Sequence, residues 1–389
     1  MKNNFILIFF FIIISGNLFF AQHRHSDELK KEERIGITGM INYMYKDWQR
    51  SSVKSHGEFQ FDSFRLWAKT DITDHFFAST QYRFYDGWQT IHHLFVGYTF
   101  KGSVLKVGQT WVPFGIDWQT FDDWGNITYY VGLQDDYDYG FTWSPKYGNL
   151  SLDFGFFKNQ QLSSNSSQRY DADIYSGNVG SGDIILKKKE NIETNQLNFR
   201  ADYLLPFSSV EWSIGTAILY GQLYNSSVNQ LGSRLAYEIH SEFSYKILHL
   251  NLQGTFYDYQ QKLPDGSTID DYNFINVSSW NFAYEIPSKA NIISSSAAID
   301  IIGDKLTAHV NYSYLWGGTS DASSYIFTTG LRTFWNSFDA FLEVYYGKND
   351  PQLSGNTSGY GRNGNTYDTR IDLRLFYKLD ILSVSSIAK

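Results

Sequence analysis

The chain contains no cysteine, and its 389 residues include only 6 prolines and 3 methionines. The missing thiols exclude thiolate metal centres, disulfide frameworks and cysteine nucleophiles, and fit an exported protein. A basic field is also lacking. Lys and Arg number 32 against 40 Asp and Glu, a formal net charge of −8, so nucleic acid is excluded as a partner. Beyond residue 22 no apolar run approaches the ~20 residues that a membrane-spanning helix needs. No G-x-S-x-G, H-E-x-x-H or phosphate-cradling glycine loop occurs, so the sequence predicts neither an enzyme nor a cofactor.

What the chain does have is aromatic strand material. Its apolar share is carried by 31 Phe, 29 Tyr and 11 Trp. At the N-terminus, Lys2 precedes an apolar run from Phe5 to Ile14, then Ser15, Gly16 and Asn17, with a cut expected between Ala21 and Gln22. Residues 1–21 therefore read as a secretory signal peptide. The polar stretch 22–34 reads as a periplasmic arm, in which His23 and His25 lack the further ligands a metal would need.

From Ile35 onward, apolar and polar residues alternate in segments of about ten, the length of a tilted strand crossing a bilayer. Leu197, Phe199, Ala201 and Tyr203 oppose Asn198, Arg200 and Asp202; Ile371, Leu373 and Leu375 oppose Arg370, Asp372 and Arg374. Connections are short at 72–75, 101–103, 145–149, 206–209, 246–247, 303–305 and 335–337, and mostly longer between. That asymmetry distinguishes a transmembrane barrel from a soluble sandwich. Requiring an even strand number with both termini on one side turns residues 261–289 into a surface loop. The expectation is an all-β, antiparallel transmembrane β-barrel of 16 strands over residues 35–378, with a C-terminal tail at 379–389.

The segment from Leu105 to Asp138 breaks the pattern. After Pro113 and Gly115 it loses alternation for about twenty residues while staying rich in aromatics, which marks a functional loop rather than a disordered one. Asp117, Trp118, Asp122, Asp123, Trp124, Tyr129 and Tyr130 are its candidate pore-lining residues, on a loop expected to fold inward. Its aromatics, with Trp111, could stack on sugars or pin the loop to the wall. The aspartates, with Asp135, Asp136 and Asp138, are oxygen ligands of the type Ca²⁺ takes, but they lack the glycine and terminal glutamate of an EF-hand loop, and no metal is assigned.

The run Val107-Gly108-Gln109-Thr110-Trp111-Val112-Pro113-Phe114-Gly115 resembles the V-G-Q-x-x-x-P-F-G signature of the phosphate-selective porin O and P family. Phe64 to Lys69 and Gln81 to Phe84 are similar to that family's first strands. The resemblance covers roughly residues 60–115. It implies a sixteen-stranded outer-membrane barrel, a homotrimer, with a constriction loop between the fifth and sixth strands. The family's anion preference rests on arginines and lysines at the constriction, whereas Ile116 to Gln134 has none.

Inward parity assigns Arg65, Lys69, Arg83, Lys106, Arg200, Arg234, Lys246, Arg332, Arg370, Arg374 and Lys378 to the lumen wall, eleven cations against the eight acids Asp62, Asp71, Asp202, Glu238, Glu242, Asp339, Glu343 and Asp372. A mildly basic wall facing an acidic loop would set a transverse field across the pore. The bland alternative is that these charges pair across strands. His92 and His93, as strand neighbours, are expected to face opposite sides. Lys187, Lys188 and Lys189 form a basic patch that could meet lipopolysaccharide phosphates. The reading is a water-filled channel in the outer membrane of a Gram-negative bacterium for passive diffusion of small hydrophilic solutes or ions, including anions such as phosphate. Its rivals are a lipid-acting outer-membrane enzyme and a plugged surface-interaction barrel.

Overall fold

A computed structural model describes residues 32–116, 125–162, 165–179, 188–269, 273–303, 305–317, 323–335, 337–353, 358–362 and 366–385. The expected signal peptide, most of the arm, Asp117, Trp118, Asp122, Asp123, Trp124, Lys187 and the last four residues lie outside these.

The alternating segments form strands: β1 (Glu32–Lys46), β2 (Glu58–Asp71), β3 (Phe76–Tyr85), β4 (Trp88–Phe100), β5 (Ser103–Trp111), β6 (Tyr137–Tyr147), β7 (Leu150–Asn159), β8 (Asp173–Ile174) and β9 (Ile192–Leu204). There follow β10 (Glu211–Asn225), β11 (Gln230–Tyr245), β12 (Leu248–Gln260), β13 (Phe274–Ser279), β14 (Phe282–Pro287), β15 (Lys289–Ile302), β16 (Leu306–Gly317), β17 (Ser323–Trp335), β18 (Phe338–Lys348) and β19 (Tyr367–Ser385). All but β8, β13 and β14 close into an antiparallel ring, in which β1 pairs with both β2 and β19. That is the expected 16-strand barrel. Its boundaries move outward, because Glu32 of β1 pairs with Ser385 of β19: the expected start at 35 and end at 378 fall inside the strands.

The start of β1 and the end of β19 therefore meet at the end of the barrel that carries the short turns. At the opposite, loop end, residues 112–136, 160–191, 261–288 and 349–366 are long, while 86–87 is a tight turn. The expected surface loop 261–289 stays out of the ring up to Ser288, with Lys289 opening β15, yet it is not an irregular loop. β13 and β14 make a hairpin through Trp280 and Asn281, both at positive φ (48° and 71°), the two-residue geometry that matches strand twist. Val277 and Ser278 of β13 also pair with Ile174 and Asp173, forming a three-stranded sheet from two separate loops.

The barrel's two faces differ as the alternation requires. Leu197, Ile239, Leu252, Val310 and Leu342 are exposed on the outside, Ile239 by 69%, whereas their neighbours Asn198, His240, Gln253, Asn311 and Glu343 are buried. The interior itself has two layers. At the loop end Leu219, Leu223, Tyr257, Tyr259, Ile292, Leu315, Ile326 and Tyr345 point inward from the wall and pack on Ile275, Val277, Tyr284 and Ile286 of the small sheet. At the turn end the wall carries charge.

Candidate functional site

The loop 112–136 crosses the lumen. Val112 N–H donates to the Asp136 carbonyl at 2.8 Å and closes its base at β5 and β6. Gln253 Oε1 on β12 accepts from Ile116 N–H at 3.0 Å and from the Gln134 side-chain amide at 2.8 Å. Two short helical segments occur among the described residues, α1 (Arg50–Ser55) before β2 and α2 (Ile127–Tyr130) in the crossing loop. Asn126 Oδ1 caps α2 by accepting from Thr128 N–H at 3.1 Å, and also accepts from Ser294 Oγ on β15 at 3.0 Å; Ser313 Oγ on β16 accepts from Ile127 N–H at 3.2 Å. β12, β15 and β16 lie across the ring from β5 and β6, so the loop is held at both walls.

Of the expected loop residues, Tyr129 and Tyr130 are described, and both are buried. The Tyr129 hydroxyl donates to the Tyr170 carbonyl at 2.7 Å, and Tyr284 donates to the Tyr130 carbonyl at 2.7 Å. The Tyr130 ring stacks on Tyr360 with centroids 6.3 Å apart. These two tyrosines pin the loop to its neighbours. The only expected stacking residue left partly exposed among those described is Trp111, with the Arg200 guanidinium 5.7 Å from its ring.

The wall residues behave as a paired network. Arg200 lies 3.0 Å from Asp202 and 3.6 Å from Asp153, and Asp202 in turn meets His240, which also reaches Glu238. Glu242 lies beside Asp202 and His240. Arg374 pairs with Glu343, which lies 3.1 Å from His309. Arg370 meets Asp372 at 3.0 Å, and Lys378 pairs with Asp339. Arg234 pairs with Glu193 and donates to the Gly132 carbonyl, tying the wall to the crossing loop. Arg83 lies 4.2 Å over the Tyr170 ring, Arg65 5.9 Å over Phe376, Lys106 5.3 Å over Phe95 and Arg332 5.5 Å over Phe334. Lys69, on β2, is partly buried.

This corrects the expected basic excess. Among the described residues Asp138, Asp153 and Glu193 also face inward and are buried, adding three acids to the eight expected. A second correction concerns His92 and His93. The register of β3 on β4 shifts between Gln81 and Tyr82, and the resulting β-bulge turns the two imidazoles together, with their Nδ1 atoms 2.9 Å apart. Lys189 is not displayed as part of a basic patch. It reaches Glu285 at 3.3 Å, and burial lowers its pKa to about 8.

Sequence reasoning singled out only Lys187, Lys188 and Lys189 in the loop 160–191 and missed the contacts of residues 170–173 in that loop. From it Asp171 accepts from Tyr137 N–H at 3.0 Å, and the Tyr170 hydroxyl donates to Asp135. Burial, and then Asp173 next to it, push the Asp136 carboxyl well above the usual range; burial and Asp136 do the same to Asp171. No local motif announces these contacts, because they join residues about thirty-five apart in sequence.

No family model and no curated protein matches the chain. Solved structures do match its fold. The outer membrane channel DcaP of Acinetobacter baumannii superposes with a TM-score of 0.58 at 12% identity, over 90% of this chain and 97% of that one. The barrel has the porin fold. The anion-selective porin from Comamonas acidovorans gives 0.56 at 10% identity over 89% of this chain and all (100%) of that one. The trimer form of OmpT from Vibrio cholerae gives 0.56 at 10% identity, over 89% and 99%. Each is similar along nearly its whole length.

Proposed function

We propose that the protein is an outer-membrane porin of a Gram-negative bacterium, a passive channel for small hydrophilic solutes or ions. One observation carries this reading: a closed ring presents apolar side chains outward and polar ones inward. In water, that outer belt would be an exposed apolar surface far beyond the few hundred Å² a soluble monomer tolerates. In hydrocarbon it needs no cover, and the closed ring leaves no backbone edge unpaired. The turn end then faces the periplasm, and the loop end faces lipopolysaccharide.

The loop 112–136 narrows the pore, with Asp117, Trp118, Asp122, Asp123 and Trp124 as its candidate lining. Arg65, Lys69, Lys106 and Arg332 are the wall cations that solutes meet, because their side chains are partly exposed, while Arg83 is buried against the Tyr170 ring and Arg200, Arg234, Arg370 and Arg374 are held in ion pairs. Pairing leaves little net field, so discrimination between anions and cations is weak and the phosphate preference of the O and P family is diluted. Assembly as a homotrimer is part of the proposal, on the analogy of the trimeric neighbour.

The filled loop end favours a second reading, a plugged barrel that presents its loops to a partner. Purified protein in a planar bilayer decides between them. Stepwise conductance with a reversal potential close to zero under a salt gradient is expected for the channel; a silent membrane at every protein concentration rejects it in favour of the plug. Release of fatty acid from the same preparation would instead indicate an enzyme.

A further inference from the structure

Where the crossing loop rejoins the wall, three aspartates from two separate stretches of chain converge. Asp136 ends the loop 112–136, Asp138 lies on β6 and Asp173 on β8. They are 1%, 1% and 0% exposed, and one carboxylate oxygen from each lies within 4.8 Å of the other two. Both oxygens of Asp136, together with Oδ1 of Asp138 and Oδ1 of Asp173, are buried with no hydrogen-bond partner among the described residues. Oδ1 of Asp171, nearby in the same loop as Asp173, is in the same condition.

The surrounding cations are already committed. Arg169 bonds the other oxygen of Asp173 at 3.1 Å, and Arg234 is taken by Glu193, by Gln196 at 2.9 Å and by the Gly132 carbonyl. A buried carboxylate with neither charge partner nor hydrogen bond costs several kcal/mol. A single proton would neutralise one carboxylate and leave the remaining oxygens unpartnered. A hard cation would satisfy all of these oxygens at once. Oxygens within 4.8 Å of one another can all reach one Ca²⁺ at about 2.4 Å, and an irregular all-carboxylate set suits Ca²⁺ better than Mg²⁺, which demands near-ideal octahedral geometry and keeps its waters.

We propose that Asp136, Asp138 and Asp173 bind a Ca²⁺ ion, with Asp171 beside them, and that this ion fastens the base of the crossing loop to the loop that carries β8. The inference goes beyond the channel reading and does not depend on it. The ligand set was not visible in sequence because its third member comes from the loop 160–191, so the run Asp135 to Asp138 was incomplete by itself.

The test uses the full chain folded in detergent, free of lipopolysaccharide, stripped with a chelator and titrated at neutral pH with CaCl₂ up to about 1 mM, the weak end of extracellular calcium modules. Calorimetry is expected to register a single Ca²⁺ per chain with a rise in the melting temperature that MgCl₂ at equal concentration does not reproduce. Asp136→Asn and Asp138→Asn should each weaken binding by at least about tenfold. Tb³⁺ emission sensitised by Tyr137 and displaced by Ca²⁺ reports the same site in the unsubstituted protein, so a variant that fails to fold leaves the proposal testable. Absence of Ca²⁺ binding, equal response to Mg²⁺, or an unchanged Ca²⁺ titration in a folded Asp136→Asn variant overturns it. A melting temperature that falls as pH rises, with no Ca²⁺ response, assigns the neutralisation to protons and overturns it as well.

Discussion

The two ends of the barrel interior solve the same problem differently. At the turn end, inward side chains are charged and neutralise one another across strands, as in Arg200 with Asp202 and Asp153, or Arg374 with Glu343. At the loop end, the inward wall is apolar and is covered by loops, as in Leu219, Tyr257 and Ile326 beneath Ile275, Val277 and Tyr284. The first arrangement keeps a wall of fixed polarity whose charges hold one another in place. The second is an ordinary protein core built inside a ring whose outside is apolar too, so at that level both faces of one strand are buried from water. Specific polar placement dominates one half and packing the other, and substitutions should divide accordingly.

The largest effect is expected at the turn end. Arg374→Ala leaves Glu343 buried beside His309 with its charge unpaired, a loss of about 3–5 kcal/mol. Replacing both members together, Arg374→Met with Glu343→Leu, should restore most of it. Urea titration of the folded barrel in detergent measures both; a double variant no more stable than the single one would mean that the pair acts through geometry rather than charge.

Asp350, in the loop 349–366, sharpens the contrast from the other side, since it is a charge placed in the apolar half. Burial raises its pKa to about 7, against which Gln352 N–H and the Tyr360 hydroxyl bond only Oδ1. A carboxyl bound more tightly to its proton in the folded state contributes stability that is complete below its unfolded pKa and lost as pH rises through the folded one. The contribution is on the order of 4 kcal/mol and disappears between roughly pH 4 and pH 7. Hydrogen exchange of residues 349–353 should therefore accelerate over that window in the native chain, and Asp350→Asn should flatten the slope. An unchanged slope in the variant would place the titrating group elsewhere.

Ile275→Ala tests whether the loop-end core behaves as a core. Ile275 is fully buried on β13, and its truncation should cost about 3 kcal/mol of docking of the small sheet. If the sheet limits passage, conductance rises while the urea midpoint of the ring stays where it was. A lower ring midpoint with unchanged conductance would show that the sheet supports the wall without narrowing the pore.

The same contrast explains what could be read in advance. Sixteen strands were legible because an apolar outer face beside a polar inner face writes a two-residue period, as at Leu197 to Tyr203 and Ile371 to Leu375. The rule fails where both faces are apolar. Ala217, Leu219 and Leu223 face inward among Ile218 and Tyr220, which face out, and that unbroken run was the available sign that the lumen is filled there. The loop 112–136 was marked as a functional segment by its lost alternation and its aromatics, and its inward course was expected once the chain closed into a barrel. Its anchors Gln253, Ser294 and Ser313 were not, since they are single polar residues on distant strands with nothing to distinguish them locally. The pairing of His92 with His93 depends on a bulge that no residue type announces.

The smallest effect lies where the two halves meet. Asn126 caps α2 through Thr128 N–H while its amide donates to Gln134 Oε1 at 2.6 Å, so one side chain joins the helical turn to the return limb of the loop. Asn126→Ala should cost about 1 kcal/mol, the usual value of a cap, because Gln253 and Ser313 still hold the loop at the far wall. The global urea midpoint should scarcely move. Single-channel recordings are the more sensitive probe, since a loop tethered at fewer points samples more positions, and open-state current noise should increase with mean conductance nearly unchanged. A large fall in mean conductance would mean that Asn126 holds the whole segment in place, and that the far-wall bonds are a consequence of its position rather than a second anchor.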